Sequence, residues 1–243
     1  MFSIFKKNRK RARHYCAVLV AAAGSSNRMG GINKLLQPLD GVPVLARTLM
    51  ALQQAERVDE IVVATREADL VDISHLCHTY GITKCKKVVR GGETRVHSVL
   101  MAAYEAAPET TLLAVQDGAR PLVTPDLIDE CIRAAERCGA AAPAVAVKDT
   151  VKTVSAENTV TGTPDRSTLR AVQTPQVFDA DLLKAALQSA LENDAAITDD
   201  CSAVERLGKT VFLLEGSEEN LKITTPIDLI VAEAILQARK ERA

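Results

Sequence analysis

Apolar and polar positions along the chain fall into two alternating rhythms. Short runs of small and β-branched residues at 17–22, 60–64, 86–89, 112–116 and 143–147 read as strands. Between them, stretches at 44–54, 68–80, 95–106 and 125–138 carry apolar residues at three- and four-residue spacing and read as amphipathic helices, with Pro125 suited to a first helical turn. Strand and helix in regular alternation imply parallel βαβ units, whose right-handed crossovers place helices on both faces of one sheet.

After Val147 the rhythm breaks. The stretch KDTVKTVSAENTVTGTPDRSTLRAVQTPQVF is rich in Thr and Val, with turn residues at 155–158 and 162–165, and reads as a β-hairpin arm at about 148–175. A helix at 180–192, a short helix at 200–207, a strand at 211–214 and a closing helix at 226–239 return to the main body. The expected architecture is therefore α/β: a mostly parallel sheet with helices on both faces and a protruding arm. Residues 15–243 form one domain in this reading, preceded by a basic leader at 1–14.

Composition narrows the function. A formal net charge of -1 and an aromatic content of 3% without Trp leave neither a whole-protein basic field nor base-stacking platforms, so no nucleic-acid partner is expected. The leader, with Lys6, Lys7, Arg9, Lys10, Arg11 and Arg13 before an apolar run, imitates a targeting signal. Cleavage after that run would delete a strand, and the run is far too short to span a bilayer, so no membrane partner is expected and the protein is placed in the cytoplasm. Six cysteines without any C-x-x-C pair read as reduced thiols. His75, Cys77, His78 and Cys85 lie at offsets unsuited to a structural zinc site.

Three polar clusters each begin where an expected parallel strand ends: Gly24 to Arg28, Gly91 to Arg95, and Asp117 to Arg120. Open parallel sheets place their ligands at that edge. Glycines allow backbone N–H groups to approach phosphate oxygens, while Arg28 and Lys34 bring charge that backbone cannot. Asp117 stands ready for an accompanying Mg²⁺, a hard ion that prefers carboxylate and phosphate oxygens. The first loop is neither a Walker A nor a G-x-G-x-x-G fingerprint.

With AAAGSSNRMG, GGETRVHSV, VQDGARP, VKDTVK, DRSTL, QTPQVF, ITDDCSAVE and NLKITTPIDL in order, the chain from about Tyr15 onward resembles the 2-C-methyl-D-erythritol 4-phosphate cytidylyltransferases. That resemblance implies a Rossmann-like nucleotidyltransferase sheet and a homodimer clasped by the arm. It also implies the reaction of CTP with methylerythritol phosphate, giving the cytidine diphosphate derivative and pyrophosphate. Carried over by motif, Arg28 and Lys34 match the transition-state cations. Ala22, Ala23, Gly24, Gly92, Glu93, Ser98, Gly118 and Lys222 match nucleotide contacts, Lys222 standing also with the catalytic cations. Asp117 matches the metal ligand, and Arg120, Thr150, Arg166, Thr174 and Thr198 match positions near the acceptor. The chain departs from the family in Ser26, where a second glycine is usual, and in Asn33-Lys34-Leu35, where Pro-Lys-Gln is common; neither removes a charge.

The implied chemistry agrees with these residue types, because in-line attack of one phosphate on another is opposed by charge repulsion and needs little covalent help. Two alternatives share the residues: a cytidylyltransferase for another polyol phosphate such as ribitol 5-phosphate, and a catalytically idle nucleotide-binding regulator. The arm and the Thr198 region frame the acceptor and would separate the first. Loss of Arg28, Lys34 or Asp117 would mark the second, and all three are present.

Overall fold

The computed structural model describes residues 13–24 and 33–242. Arg28, Ser26 and most of the basic leader lie outside the described residues. The strands are β1 (Cys16–Ala22), β2 (Pro38–Leu39), β3 (Val42–Pro43), β4 (Glu60–Thr65), β5 (Cys85–Arg90), β6 (Leu112–Asp117), β7 (Ala140–Ala146), β8 (Thr153–Val154), β9 (Val160–Gly162), β10 (Arg170–Val172), β11 (Gln176–Asp179) and β12 (Phe212–Glu215). The helices are α1 (Val44–Gln54), α2 (Leu70–Thr79), α3 (Arg95–Glu105), α4 (Pro125–Cys138), α5 (Ala180–Glu192), α6 (Asp200–Arg206) and α7 (Pro226–Arg242).

One eight-stranded sheet organises the molecule, in the order β10-β7-β11-β6-β1-β4-β5 with β12 on the far side of β7. β1 runs parallel between β4 and β6, in registers that begin with Ala17 opposite Glu60 and Cys16 opposite Leu112. These three central strands are almost wholly buried, as expected where helices cover both faces. Side-chain alternation along β1 divides the core. Cys16, Val18 and Val20 pack against α1, α2, α4 and α7, whereas Ala17 and Leu19 face α3, α5 and α6.

The ends of α4 follow their sequence signals. Thr124 caps α4 by accepting from the Leu127 N–H at 3.3 Å, Pro125 opens the helix, and Gly139 closes it at a φ of 79°, a conformation that favours glycine. Of the stretch read as an arm, β8 and β9 form the antiparallel hairpin, largely exposed. The rest rejoins the sheet. β10 pairs antiparallel with β7, and β11 enters between β6 and β7, antiparallel to both. β7 also begins at Ala140, ahead of the expected 143, so that Pro143 lies inside a central strand.

A local gap accommodates that proline. β11 pairs with Ala140 and Ala141, β10 pairs with Ala144 to Ala146, and Pro143 falls between the two partners. Its carbonyl accepts from the Gln173 N–H at 2.8 Å, on the same side where its missing N–H would point.

Candidate functional site

The carboxyl ends of β1, β5 and β6 converge on a cavity of about 410 Å³, within the range of ligand pockets. Ala22, Ala23 and Gly24 line it from the end of β1, Gly92 and Glu93 from the turn after β5, and Ser98 from α3. Lys34, Asp117 and Lys222 complete its charged wall. The turn after β5 is tightly fitted. A Cβ on Gly91 would stand 2.8 Å from both the Ala23 Cβ and the Ser98 Oγ, and one on Gly92 would collide with the His97 Cβ. Glycine is what lets this turn approach both the β1 loop and the start of α3. Thr94 caps α3 by accepting from the His97 N–H at 3.1 Å, and the Ser98 hydroxyl donates to the Thr94 carbonyl at 2.9 Å.

A second cavity of about 210 Å³ adjoins the first. Arg120, Thr174 and Thr198 line it, and it shares Arg95, Asp117 and Lys222 with the larger one. Thr174 comes from the corner leading into β11 and Thr198 from the turn before α6, so the re-entrant strand builds this side. The Thr174 hydroxyl accepts from the Asp117 N–H at 3.1 Å, tying the two walls together.

Asp117 is the electrostatic hub. Its Oδ2 lies 3.0 Å from the Lys222 Nζ and 3.3 Å from the Arg120 Nε, and its Oδ1 lies 3.8 Å from the Arg95 Nη2. Burial would raise its pKa, but Lys222, Arg120 and Arg95 outweigh that and hold it below the ordinary carboxylate value. Arg120 shows the opposite balance: burial lowers its pKa, and Asp117 offsets this only in part. The loop bearing Lys222 is fastened at several points. The Ile223 N–H donates to the Ala119 carbonyl at 2.8 Å, the Ile223 carbonyl accepts from the Lys34 Nζ at 2.8 Å, and the Asn220 carbonyl accepts from the Arg120 Nη1 at 2.6 Å. Asn220 itself donates through Nδ2 to the Thr174 carbonyl at 3.0 Å.

Not every expected residue joins this wall. Gly118 lines neither cavity; its N–H donates to the Ala21 carbonyl at 3.1 Å, and a Cβ there would stand 3.0 Å from the Leu45 Cδ1. Its role in the structure is to let the end of β6 pack against α1. Thr150 and Arg166 are exposed on the arm and line neither cavity, Arg166 donating to the Lys148 carbonyl at 2.8 Å. Arg28 lies outside the described residues.

Conversely, the structure brings in residues to which the sequence reading gave no role: Arg95, Asp200, Gln176 and Asn220. Each stands inside a recognisable motif, Arg95 in GGETRVHSV and Asp200 in ITDDCSAVE, but their partners are distant along the chain. Among the described residues, no group of three or more His, Cys, Asp or Glu side chains could hold a metal ion by itself. No helix among them is long and apolar enough to cross a membrane.

Comparison with known proteins gives a consistent result. The family model of 2-C-methyl-D-erythritol 4-phosphate cytidylyltransferase matches residues 16–238. A Synechococcus elongatus protein named as that enzyme is 42% identical over 224 residues, covering 92% of this chain and 97% of its own. The crystal structure of 4-diphosphocytidyl-2C-methyl-D-erythritol synthase from Anaerococcus prevotii superimposes with a TM-score of 0.83 at 30% identity, covering 92% of this chain and 96% of that one. The structure of the cytidylyltransferase from Thermus thermophilus gives 0.74 at 31% identity, over 92% and 99% of the two chains.

Proposed function

Because the chain belongs to the 2-C-methyl-D-erythritol 4-phosphate cytidylyltransferase family, we infer that its two joined cavities hold the two reactants of a cytidylyl transfer. The protein is a nucleotidyltransferase of isoprenoid precursor biosynthesis: CTP and 2-C-methyl-D-erythritol 4-phosphate give 4-diphosphocytidyl-2-C-methyl-D-erythritol and pyrophosphate. The observation that carries the reading is the shared wall. A larger glycine-lined cavity suits the nucleotide, a smaller one suits a polyol phosphate, and they meet at Asp117 and Lys222.

In this reading an oxygen of the acceptor phosphate forms a bond to the α-phosphorus of CTP as the bond to the bridging β-phosphate oxygen breaks, and pyrophosphate leaves. The acceptor is already ionised, so no general base is required. Lys34 and Lys222, with Arg28 as the family motif implies, stabilise the charge that gathers on the α-phosphate and the departing pyrophosphate. Ala22, Ala23, Gly24, Gly92, Glu93 and Ser98 hold the nucleotide. Arg120, Thr174 and Thr198 hold the acceptor.

A divalent cation such as Mg²⁺ fits here. Asp117 is a carboxylate held ionised at the junction of both cavities, and Mg²⁺ needs only one or two protein carboxylates when phosphates and water supply the rest. Such an ion neutralises triphosphate charge when bound. The arm supports a homodimer in which Thr150 and Arg166 reach a neighbour's cleft. Val154 and Val160 on the hairpin are 52% and 56% exposed, and an isolated two-stranded hairpin is marginal in water.

The test is pyrophosphate release by purified protein supplied with CTP, Mg²⁺ and either methylerythritol phosphate or ribitol 5-phosphate. Release with the first is expected; release with the second alone overturns the assignment. Asp117→Asn should fold and bind CTP while requiring much more Mg²⁺ for half-maximal rate. An unchanged Mg²⁺ titration would remove Asp117 from the metal site.

A further inference from the structure

Two cations among the described residues, Arg95 and Lys222, line both cavities. Lys222 is 40% exposed on its loop, whereas the Arg95 side chain is 30% exposed and is drawn down onto a carboxylate in the core. The Arg95 Nη2 lies 2.7 Å from the Asp200 Oδ2 and 3.8 Å from the Asp117 Oδ1.

Asp200 is an unusual partner, being fully buried with neither carboxylate oxygen receiving a geometrically proper hydrogen bond. Burial raises its pKa, and Arg95 opposes that rise only in part. Helix capping does not account for it. Asp199 performs that task at α6, accepting from the Ser202 N–H at 2.9 Å within a complete capping box. The surroundings instead hold Asp200 in place. Gln176 on β11 donates to the Asp199 Oδ2 at 2.9 Å and accepts from the Cys201 N–H at 3.0 Å, fastening the first turn of α6 to the sheet on both sides of Asp200.

Arg95 is also placed against its local preference. It is the first residue of α3, where the helix dipole repels a cation and attracts an anion. Two carboxylates compensate it there. A guanidinium offers a planar fork that can serve a carboxylate behind it and phosphate oxygens in front.

We propose that Arg95 is a further catalytic residue, reaching the phosphates at the junction of the two cavities, and that Asp200 is the positioning residue that fixes its orientation. The proposal rests on the cytidylyl-transfer reading of the site. Arg95 thereby adds a cation that is already oriented when charge moves from the α-phosphate to pyrophosphate.

The test compares kcat and KM for wild type, Asp200→Asn, Arg95→Lys and the double variant, together with their thermal midpoints. Asp200→Asn keeps the shape of the side chain but removes its charge, and the freed Arg95 remains close to Asp117 and solvent. Its thermal midpoint should stay near that of wild type while kcat falls about tenfold or more and KM for CTP changes far less. Arg95→Lys should do the same, because an ammonium is a compact point charge without the planar fork that can face a carboxylate behind and phosphate oxygens in front. The double variant should lose no more than about twofold beyond the worse single one, since both substitutions break one unit. Wild-type kcat in Asp200→Asn, or single losses that multiply in the double variant, overturns the proposal. Should Asp200→Asn fail to fold, Arg95→Lys decides: a fall in kcat at an unchanged midpoint supports the role, and an unchanged kcat overturns it. Wild-type protein without turnover overturns both the functional reading and this one, whereas wild-type turnover with an unimpaired Asp200→Asn overturns this one alone.

Discussion

Lys34 reaches into the larger cavity with its Nζ donating to the Ile223 carbonyl, so its ammonium is oriented before any substrate arrives. A cation recruited most strongly in the transition state acts on the chemical step. Lys34→Ala should therefore reduce kcat by about 10²- to 10³-fold, with a much smaller change in KM for CTP, in steady-state assays of pyrophosphate release. A rise in KM at near wild-type kcat would assign Lys34 to ground-state binding instead. Asp117 was legible in the sequence because it opens a polar cluster directly after an apolar strand, and Lys34 because it is a cation shortly beyond the first such cluster. The pairing of Arg95 with Asp200 was not. It joins the first turn of α3 to the first turn of α6, and no spacing rule links residues so far apart. Gly118 shows the reverse: a glycine inside a functional motif that the structure uses for close packing.

At the scale of elements, the βαβ half was legible from hydrophobic periodicity, since long buried strands and amphipathic helices carry strong signals. β10 and β11 were not, because three- and four-residue strands in a Thr-rich stretch look like the hairpin before them. The start of β7 was obscured by its alanines and by Pro143, which the gap between its two partner strands accommodates. The start of α7 carries a pH prediction. Asp228, in its first turn, accepts from the Thr224 and Thr225 N–H groups and the Thr224 hydroxyl, each at 2.7 Å. Burial would raise its pKa, but these hydrogen bonds outweigh that and lower it from 3.8. A carboxylate with a depressed folded value contributes stability fully above its unfolded value and loses it as pH falls through the folded one. Asp228→Asn should thus cost about 1 kcal/mol at pH 7, because a neutral amide oxygen accepts these hydrogen bonds more weakly than a carboxylate does. The deficit should shrink below the ordinary value of 3.8 and vanish once Asp228 is protonated in the folded protein, as thermal denaturation across acidic pH would show. A deficit constant with pH would mean that the charge of Asp228 is not what holds the turn.

For the whole molecule, the proposed role of Arg166 has to be squared with its place on the arm, where it lines neither cavity of its own chain. If the arm enters a neighbour's cleft, Lys34→Ala and Arg166→Ala chains, each inactive alone, should complement one another. In an equal mixture half the dimers are mixed and each has one wholly intact site, so activity should recover to about a quarter of wild type. A mixture that stays inactive after subunit exchange would place Arg166 at its own chain's site. The same re-entrant strand that follows the arm also shapes how the protein is made. β1, β4, β5 and β6 can pair once Asp117 has emerged during synthesis, but the outer edge of β6 stays open until Gln176 to Asp179 arrive as β11. Through that interval a nascent chain presents the apolar run Leu112 to Val115 as an unpaired edge, which is a template for aggregation. Chains truncated after Thr150 should pellet on centrifugation to a greater extent than chains that extend through Arg206 and carry β11. The interval between β6 and β11 is therefore when the growing chain is most open to pairing with the wrong partner.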